Sequence, residues 1–137
     1  MTDARGLIAR HALTPHPEGG WYRETWRAAA EPGQRAGGTA ILFLLEDGQQ
    51  SHWHKVDADE LWLWHSGSPL RLSIGGATVT LDKDNPQALV PAQEWQAAHA
   101  AEGWVLVSCV VVPGFDFAGF TLAPPEREPD RTGWPKT

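Results

Sequence analysis

From residue 39 onward the chain is a succession of short apolar or alternating runs, each cut off by Gly, Pro or Asp. That punctuation constrains the fold more than any other feature. Residues 39–45 read as a buried strand closed by Glu46-Asp47-Gly48, and residues 61–65 stop at Ser66-Gly67-Ser68-Pro69. Residues 70–74 alternate Leu70, Leu72 and Ile74 with Arg71 and Ser73, then meet Gly75-Gly76. Residues 78–81 alternate again before the turn Asp82-Lys83-Asp84-Asn85-Pro86, short runs at 88–90 and 95–98 flank Pro91, and 104–112 is a long β-branched run ended by Pro113-Gly114. Many short strands at regular spacing point to a sandwich or barrel. Upstream, 21–26 alternates like a strand, 28–38 is loop, and 3–13 suits one short helix with Thr2 or Asp3 as N-cap and Pro15 as its stop. The expectation is a single all-β domain over residues 1–123 with a short N-terminal helix, followed by a Pro-rich tail at 124–137.

At 137 residues there is room for one core of ordinary size. Eleven Lys and Arg against seventeen Asp and Glu give a net charge of −6, which argues against nucleic acid as a partner because phosphate binding needs a basic surface. The uncharged stretch between Glu102 and Asp116 contains Ser108 and Pro113 and falls short of the ~20 apolar residues of a membrane span. Charges at Asp3 and Arg5, with no apolar run behind them, speak against a signal peptide, so the expected location is the cytoplasm. One cysteine excludes an internal disulfide and a Cys-based zinc knuckle. Eight tryptophans supply far more aromatic area than a core this small normally uses, which implies an aromatic-lined core, pocket or interface.

The chemistry concentrates at Ser51-His52-Trp53-His54 and at Glu60. On an extended strand, positions two apart share a face, so His52 and His54 are expected to project together with Trp53 opposite. The face of the next strand that carries Glu60 also carries Trp62 and Trp64. A turn at 56–58 would then bring two imidazoles and one carboxylate together, a donor set suited to Fe, Mn, Ni, Cu or Zn. Alone, H-x-H equally fits two surface histidines at a strand end. In the N-terminal strand, alternation puts Tyr22 with Glu24 on one face and Arg23 with Thr25 on the other, at a pocket mouth or an edge. Phe115 and Phe117, following a Pro-Gly turn, are placed to close one barrel end, and Cys109 reads as a small apolar filler.

These stretches together resemble the cupin superfamily. Gly48, His52, His54, Glu60 and Gly67 follow the order of the first cupin motif, and Pro91-Ala92-Gln93-Glu94-Trp95-Gln96 corresponds to the second. More narrowly, His16-Pro17-Glu18-Gly19-Gly20-Trp21-Tyr22-Arg23-Glu24-Thr25, Asp59-Glu60-Leu61-Trp62, Trp95-Gln96-Ala97-Ala98 and Pro113-Gly114-Phe115-Asp116-Phe117 look like one cupin subfamily of unknown function. The likeness covers about residues 7–123. It implies a double-stranded β-helix, a jelly-roll barrel, and a homodimer in which the partner covers edge strands.

The resemblance also implies a site. His52, His54, Glu60 and Gln96 would stand at the positions of metal ligands, with His52, His54 and Glu60 as ligands or proton carriers. Three departures from the motif stand out: five residues separate His54 from Glu60 where three or four are general, Gln93 replaces the glycine of the turn before the next strand, and Gln96 replaces a histidine ligand with a neutral, harder and weaker one. A divalent Fe, Mn, Ni or Zn would then be held weakly or not at all. Without metal, a His–carboxylate pair in an apolar pocket carries protons, as in metal-free cupin sugar epimerases. Trp62, Trp64 and Trp95 are expected as an aromatic wall, with Gln96, Tyr22, Arg23 and Glu24 as further ligand contacts. Arg23, Lys55 and Arg71 are too few for a nucleotide diphosphate, so the expected ligand is small, polar, carbohydrate-like or aromatic. An isomerase-like or metal-dependent enzyme and a non-catalytic binding or sensor protein both fit.

Overall fold

The computed structural model describes residues 3–124, so the expected tail lies outside the described residues from 125 on. Two antiparallel sheets make up the barrel. One has six strands in the order β1 (Thr14–Pro15), β2 (Trp21–Arg27), β3 (Thr39–Leu45), β10 (Val105–Val112), β5 (Asp59–Gly67) and β8 (Gln87–Val90). The other has five, in the order β11 (Phe120–Leu122), β4 (Gln50–Val56), β9 (Gln96–His99), β6 (Leu70–Ile74) and β7 (Ala77–Leu81). This is the double-stranded β-helix expected. Observed strand ends lie within one or two residues of the expected ones, because the Gly, Pro and Asp stops set them. β1 and β11, of two and three residues, are too short to show a pattern and went unanticipated.

The helix α1 spans Ala4–Arg10, shorter than expected. The Asp3 side chain caps it by accepting the Gly6 N–H at 2.7 Å. It ends ahead of Pro15 because Ala12 turns into the left-handed region (φ 54°). Leu7 and Leu13 pack on Leu44 and Leu106, so the helix covers the outer face of the six-stranded sheet at one end.

Alternation sends Phe43, Leu45, Trp62, Leu70, Leu72, Leu81, Val90, Ala98, Val105, Val107 and Cys109 inward into one continuous core. A smaller cluster of Val56, Ala58 and Val111, with Phe115 and Phe120 against it, lies at the opposite end. The paired rows fix the depth of each residue. Thr39, Val111, Glu60 and Val90 form one row, Ile41, Cys109, Trp62 and Ala88 the next, and Phe43, Val107 and Trp64 the one beyond. Moving along β5 from Glu60 to Trp64 therefore leads from a polar level into solid core.

Candidate functional site

A cavity of about 410 Å³ opens at the Glu60 end of the barrel. Two buried imidazoles and two buried carboxyls reach it: His16, His54, Glu18 and Glu60. Two of them come from the turn between β1 and β2, where the His16 N–H donates to the Gly20 carbonyl and the Gly19 N–H to the His16 carbonyl. Gly19 has φ 106°, and a Cβ there would collide with the Gln50 carbonyl, so only glycine lets this turn press against β4. The Glu18 carbonyl accepts the His52 N–H at 2.7 Å, which fixes the turn to the strand bearing His54.

His52 and His54 do not share a face. Ser51 pairs with Ala98 and His54 with Gln96, so three steps on β4 match two on β9, and this bulge breaks the two-residue period. Ser51 and His54 consequently both point inward and are fully buried, while the His52 Nε2 lies 2.9 Å from the Pro124 carbonyl on the outside. The convergence expected of two imidazoles still occurs, but the second ring is His16.

The hydrogen bonds determine where protons sit. The Glu18 N–H donates to His16 Nδ1 at 3.1 Å, so that nitrogen is a lone-pair acceptor. His54 Nδ1 lies 2.7 Å from the His52 carbonyl and must carry the proton, which leaves Nε2 as the lone-pair nitrogen of a neutral ring. The Glu18 carboxyl lies between them, Oε1 3.2 Å from His16 Nδ1 and Oε2 3.3 Å from His54 Nε2, with the Ser51 hydroxyl donating to Oε2. Two lone pairs facing one carboxyl require a proton on the carboxyl or on a ring. Burial favours the uncharged arrangement, raising Glu18 to about 8 against the Ser51 hydrogen bond and lowering His16 to about 4, helped by nearby His54. Burial also lowers His54, with the Glu60 charge opposing it.

Glu60 lies on the other side. Its Oε1 accepts an N–H from Gln96 at 2.8 Å, and the Gln96 carbonyl accepts the Trp62 Nε1–H at 2.8 Å. An indole N–H only donates, so it fixes the amide orientation and makes Gln96 a donor to Glu60. The Cys109 thiol hydrogen-bonds Glu60 as well, a polar role beyond the apolar filler expected. Burial raises Glu60, and the charge of His54 opposes it.

These geometries test the expected metal set. His52 faces outward, and the carbonyl oxygen of Gln96 is taken by Trp62. Among the described residues no three His, Cys, Asp or Glu side chains are grouped to hold an ion. The expected set of His52, His54, Glu60 and Gln96 therefore does not converge on one point.

The aromatic wall also differs in identity. Trp62 is core floor, Trp64 packs on the core and donates to the Ser68 carbonyl, and buried Trp95 stacks under Lys55. None of the three lines the cavity, because each lies at a deeper row or on another surface. The wall consists instead of Tyr22, Phe115, Phe117 and Phe120, the three phenylalanines meeting edge to face at 4.7–5.9 Å. Tyr22 and Glu24 line it as alternation expects, while Arg23 lies on the opposite face and donates to the His11 carbonyl at 2.7 Å. The sequence reading missed His16, Glu18, Ser51, Arg27, Arg35 and Phe120. The one available signal is the titratable pair His16 and Glu18 ahead of Gly19-Gly20, which enters above only as part of the subfamily resemblance.

The profile of a family described as Cupin superfamily (DUF985) matches residues 5–123 of the chain. A protein from Shewanella oneidensis is 36% identical, with a TM-score of 0.80 over 90% of this chain and 85% of its own. A hypothetical protein from Leishmania major is 30% identical, with a TM-score of 0.78 over 89% and 88%. An uncharacterized conserved protein with a double-stranded β-helix domain from Klebsiella pneumoniae shares the fold at 18% identity, with a TM-score of 0.64 over 84% and 93%. No curated protein matches.

Proposed function

The chain belongs to the DUF985 family of the cupin superfamily, and from that premise we propose that its barrel binds a small polar molecule and moves a proton within it, with Glu18 and His54 as the acid–base pair. The observation that carries this reading is the buried contact of Glu18 Oε2 with the lone-pair nitrogen of His54 at 3.3 Å, at the wall of a cavity open to solvent. A neutral imidazole beside a protonated carboxyl is a base and an acid held ready at neutral pH. In an isomerisation, His54 Nε2 takes the proton from a carbon next to a carbonyl while Glu18 gives its proton to the carbonyl oxygen. Reversal of both transfers at the neighbouring carbon restores the pair. Glu60 is placed to accept a hydroxyl hydrogen bond, and its Gln96 and Cys109 partners keep it in position.

No resident metal is part of this reading, and the setting is cytoplasmic. Among the described residues no helix is long and apolar enough to cross a membrane. A homodimer belongs to the proposal through the outer face of the six-stranded sheet. Trp26, Ala40, Val110, Leu61 and Leu89 form one apolar row across five strands there, with Trp26, Leu89 and the nearby Val112 about half exposed. Sedimentation of a Trp26→Asp variant as a monomer, beside a dimeric parent, is the expected result.

The test of function is deuterium wash-in. A ligand found by thermal shift is incubated with the protein in D₂O and followed by NMR. Expected is exchange at the carbon next to its carbonyl, slowed at least ~100-fold in Glu18→Gln and in His54→Gln. A ligand that binds yet stays unlabelled and unchanged leaves a binding protein and removes the enzyme.

A further inference from the structure

The cavity combines acid–base groups with a rim whose cations are already engaged. Among its lining residues the permanent cations are Arg27 and Arg35. Arg27 donates to both oxygens of Glu24, at 2.6 and 3.0 Å, and to the Phe115 carbonyl at 3.2 Å. Arg35 donates to both oxygens of Asp57, at 2.7 and 3.1 Å, and to the Gly114 carbonyl at 2.7 Å. Each guanidinium thus offers its fork, the geometry that captures carboxylate and phosphate, to a carboxylate of the chain itself. Asp116 adds a third carboxylate, lining the cavity and close enough to act on both arginines. Two cations against three anions leave the rim negative.

Deeper in, the groups facing a ligand are acceptors or neutral. His16 Nδ1 and His54 Nε2 are lone-pair nitrogens turned to Glu18, and Glu60 is a carboxyl whose Oε1 is bonded by Gln96. The apolar side is the three-phenylalanine collar with Tyr22. A negatively charged ligand entering this space would lose its hydration and meet no unengaged cation among the lining residues, an unfavourable exchange for a buried ion.

Resting on the proposed reading of the same site, we infer that its ligand carries no negative charge: a hydroxyl- or amine-bearing molecule with one apolar face, to the exclusion of carboxylates and phosphate esters. Glu60 accepts from its hydroxyl or amine, the protonated Glu18 donates to its carbonyl oxygen, and the phenylalanine collar takes its carbon face. Selectivity arises from repulsion, since the intramolecular pairs of Arg27 and Arg35 withhold the anion contacts that those residues would otherwise make.

Two arms test this on the full chain. In the first, D-glucose, D-glucosamine, D-glucuronate and glucose 6-phosphate are titrated at matched ionic strength and followed by thermal shift and calorimetry. Binding of glucuronate or the phosphate ester more tightly than of the sugar or the amino sugar overturns the inference, and the reverse order supports it. In the second, inorganic phosphate is titrated into the parent and into Glu24→Gln, Asp57→Asn and the double variant. These pairs are solvent-accessible, and an ion pair of that kind contributes little to folding, so the variants remain folded. The double variant turns the rim from two cations against three anions into two against one. It is expected to bind phosphate at least roughly tenfold more tightly than the parent. No gain in any variant overturns the inference. A gain in the variants, with none of the four sugars bound by the parent, supports the charge account and counts against the sugar-sized reading of the cavity.

Discussion

The two ends of this barrel close the same two sheets and obey opposite rules. At one end the inward rows hold Phe43, Leu45, Leu70, Leu72, Leu81 and Val107, all essentially inaccessible. At the other, β5, β3 and β4 deliver Glu60, Thr39 and His54, and the N-terminal turn adds His16 and Glu18. Trp62 is the partition: its ring packs edge to face on Phe43 at 5.9 Å, and its N–H supports Gln96 and through it Glu60. The plugged end stabilises by burying apolar area, whereas the open end buries two imidazoles and two carboxyls at a cost that folding alone gives no reason to carry. That contrast is the physical basis for reading the open end as functional.

Trp62→Ala breaks the partition and carries the largest expected effect. Removing a fully buried indole costs about 3–5 kcal/mol and leaves the Gln96 carbonyl without its donor. Trp62→Phe keeps most of the packing and removes the N–H, so it is expected to lose only about 1–2 kcal/mol. Urea denaturation of both variants separates the two contributions. An equal loss in both would mean that the ring is not acting as core.

The open end is expected to govern how stability depends on pH. Glu18 has a raised folded value of about 8, so its stability contribution is complete below the usual carboxyl range near 4.5 and is lost as pH rises through 8. Between pH 6 and pH 8 that amounts to about 2 kcal/mol. His16 has a lowered folded value of about 4, so its contribution is present above 6.5 and fades toward pH 4, again by about 3 kcal/mol. Glu60 reinforces the alkaline loss and His54 the acidic one. Stability therefore peaks between pH 5 and 7, and Glu18→Gln flattens the alkaline side. A variant that loses stability from pH 6 to 8 as steeply as the parent would show that Glu18 is not the group being titrated.

Chelator treatment probes the same end with a smaller expected effect, since the donors do not assemble around an ion. Untagged protein is expected to hold under ~0.1 equivalents of Fe, Mn, Ni or Zn and to keep its melting temperature in EDTA. Stoichiometric metal lost on His54→Ala would reverse the assignment of Glu18 as an acid.

The fold was legible in the sequence because strand ends are local events: Gly75-Gly76 or Pro113-Gly114 stops a strand whatever lies across the sheet. The site was legible only in part. Glu60, Trp62 and Trp64 do share a face, as alternation requires, but which of them meets the cavity depends on depth along the barrel, and depth is set by pairing with β10 and β8. His52 was misplaced by a bulge that the β4 sequence gives no sign of, since the extra residue exists only relative to Gln96 and Ala98 on β9. His16 and Glu18 sit thirty or more residues from their partners, so their chemistry emerges only once Gly19 has pressed the turn against β4. Tyr22, Glu24 and Phe115 were reachable from alternation and turn chemistry, and the structure places them at the mouth.

The smallest effect lies behind the strand that carries His54. Gln93 stands where the cupin motif has glycine, and its backbone adopts φ 67°, the left-handed region a glycine would enter without cost. Its N–H donates to the Val56 carbonyl at 2.7 Å, which ties the turn to the end of β4 two residues beyond His54. An L-residue in this conformation loses roughly 1 kcal/mol, partly offset by the extra freedom of glycine in the unfolded chain. Gln93→Gly is therefore expected to gain about 0.5 kcal/mol by urea denaturation while leaving ligand affinity unchanged. The substitution relieves backbone strain without altering a group that faces the cavity. A loss of stability would mean that the Gln93 side chain contributes more than its backbone costs. A shift in affinity would mean that this turn sets the position of His54, in which case the two ends of the barrel would not be the only determinants of the site.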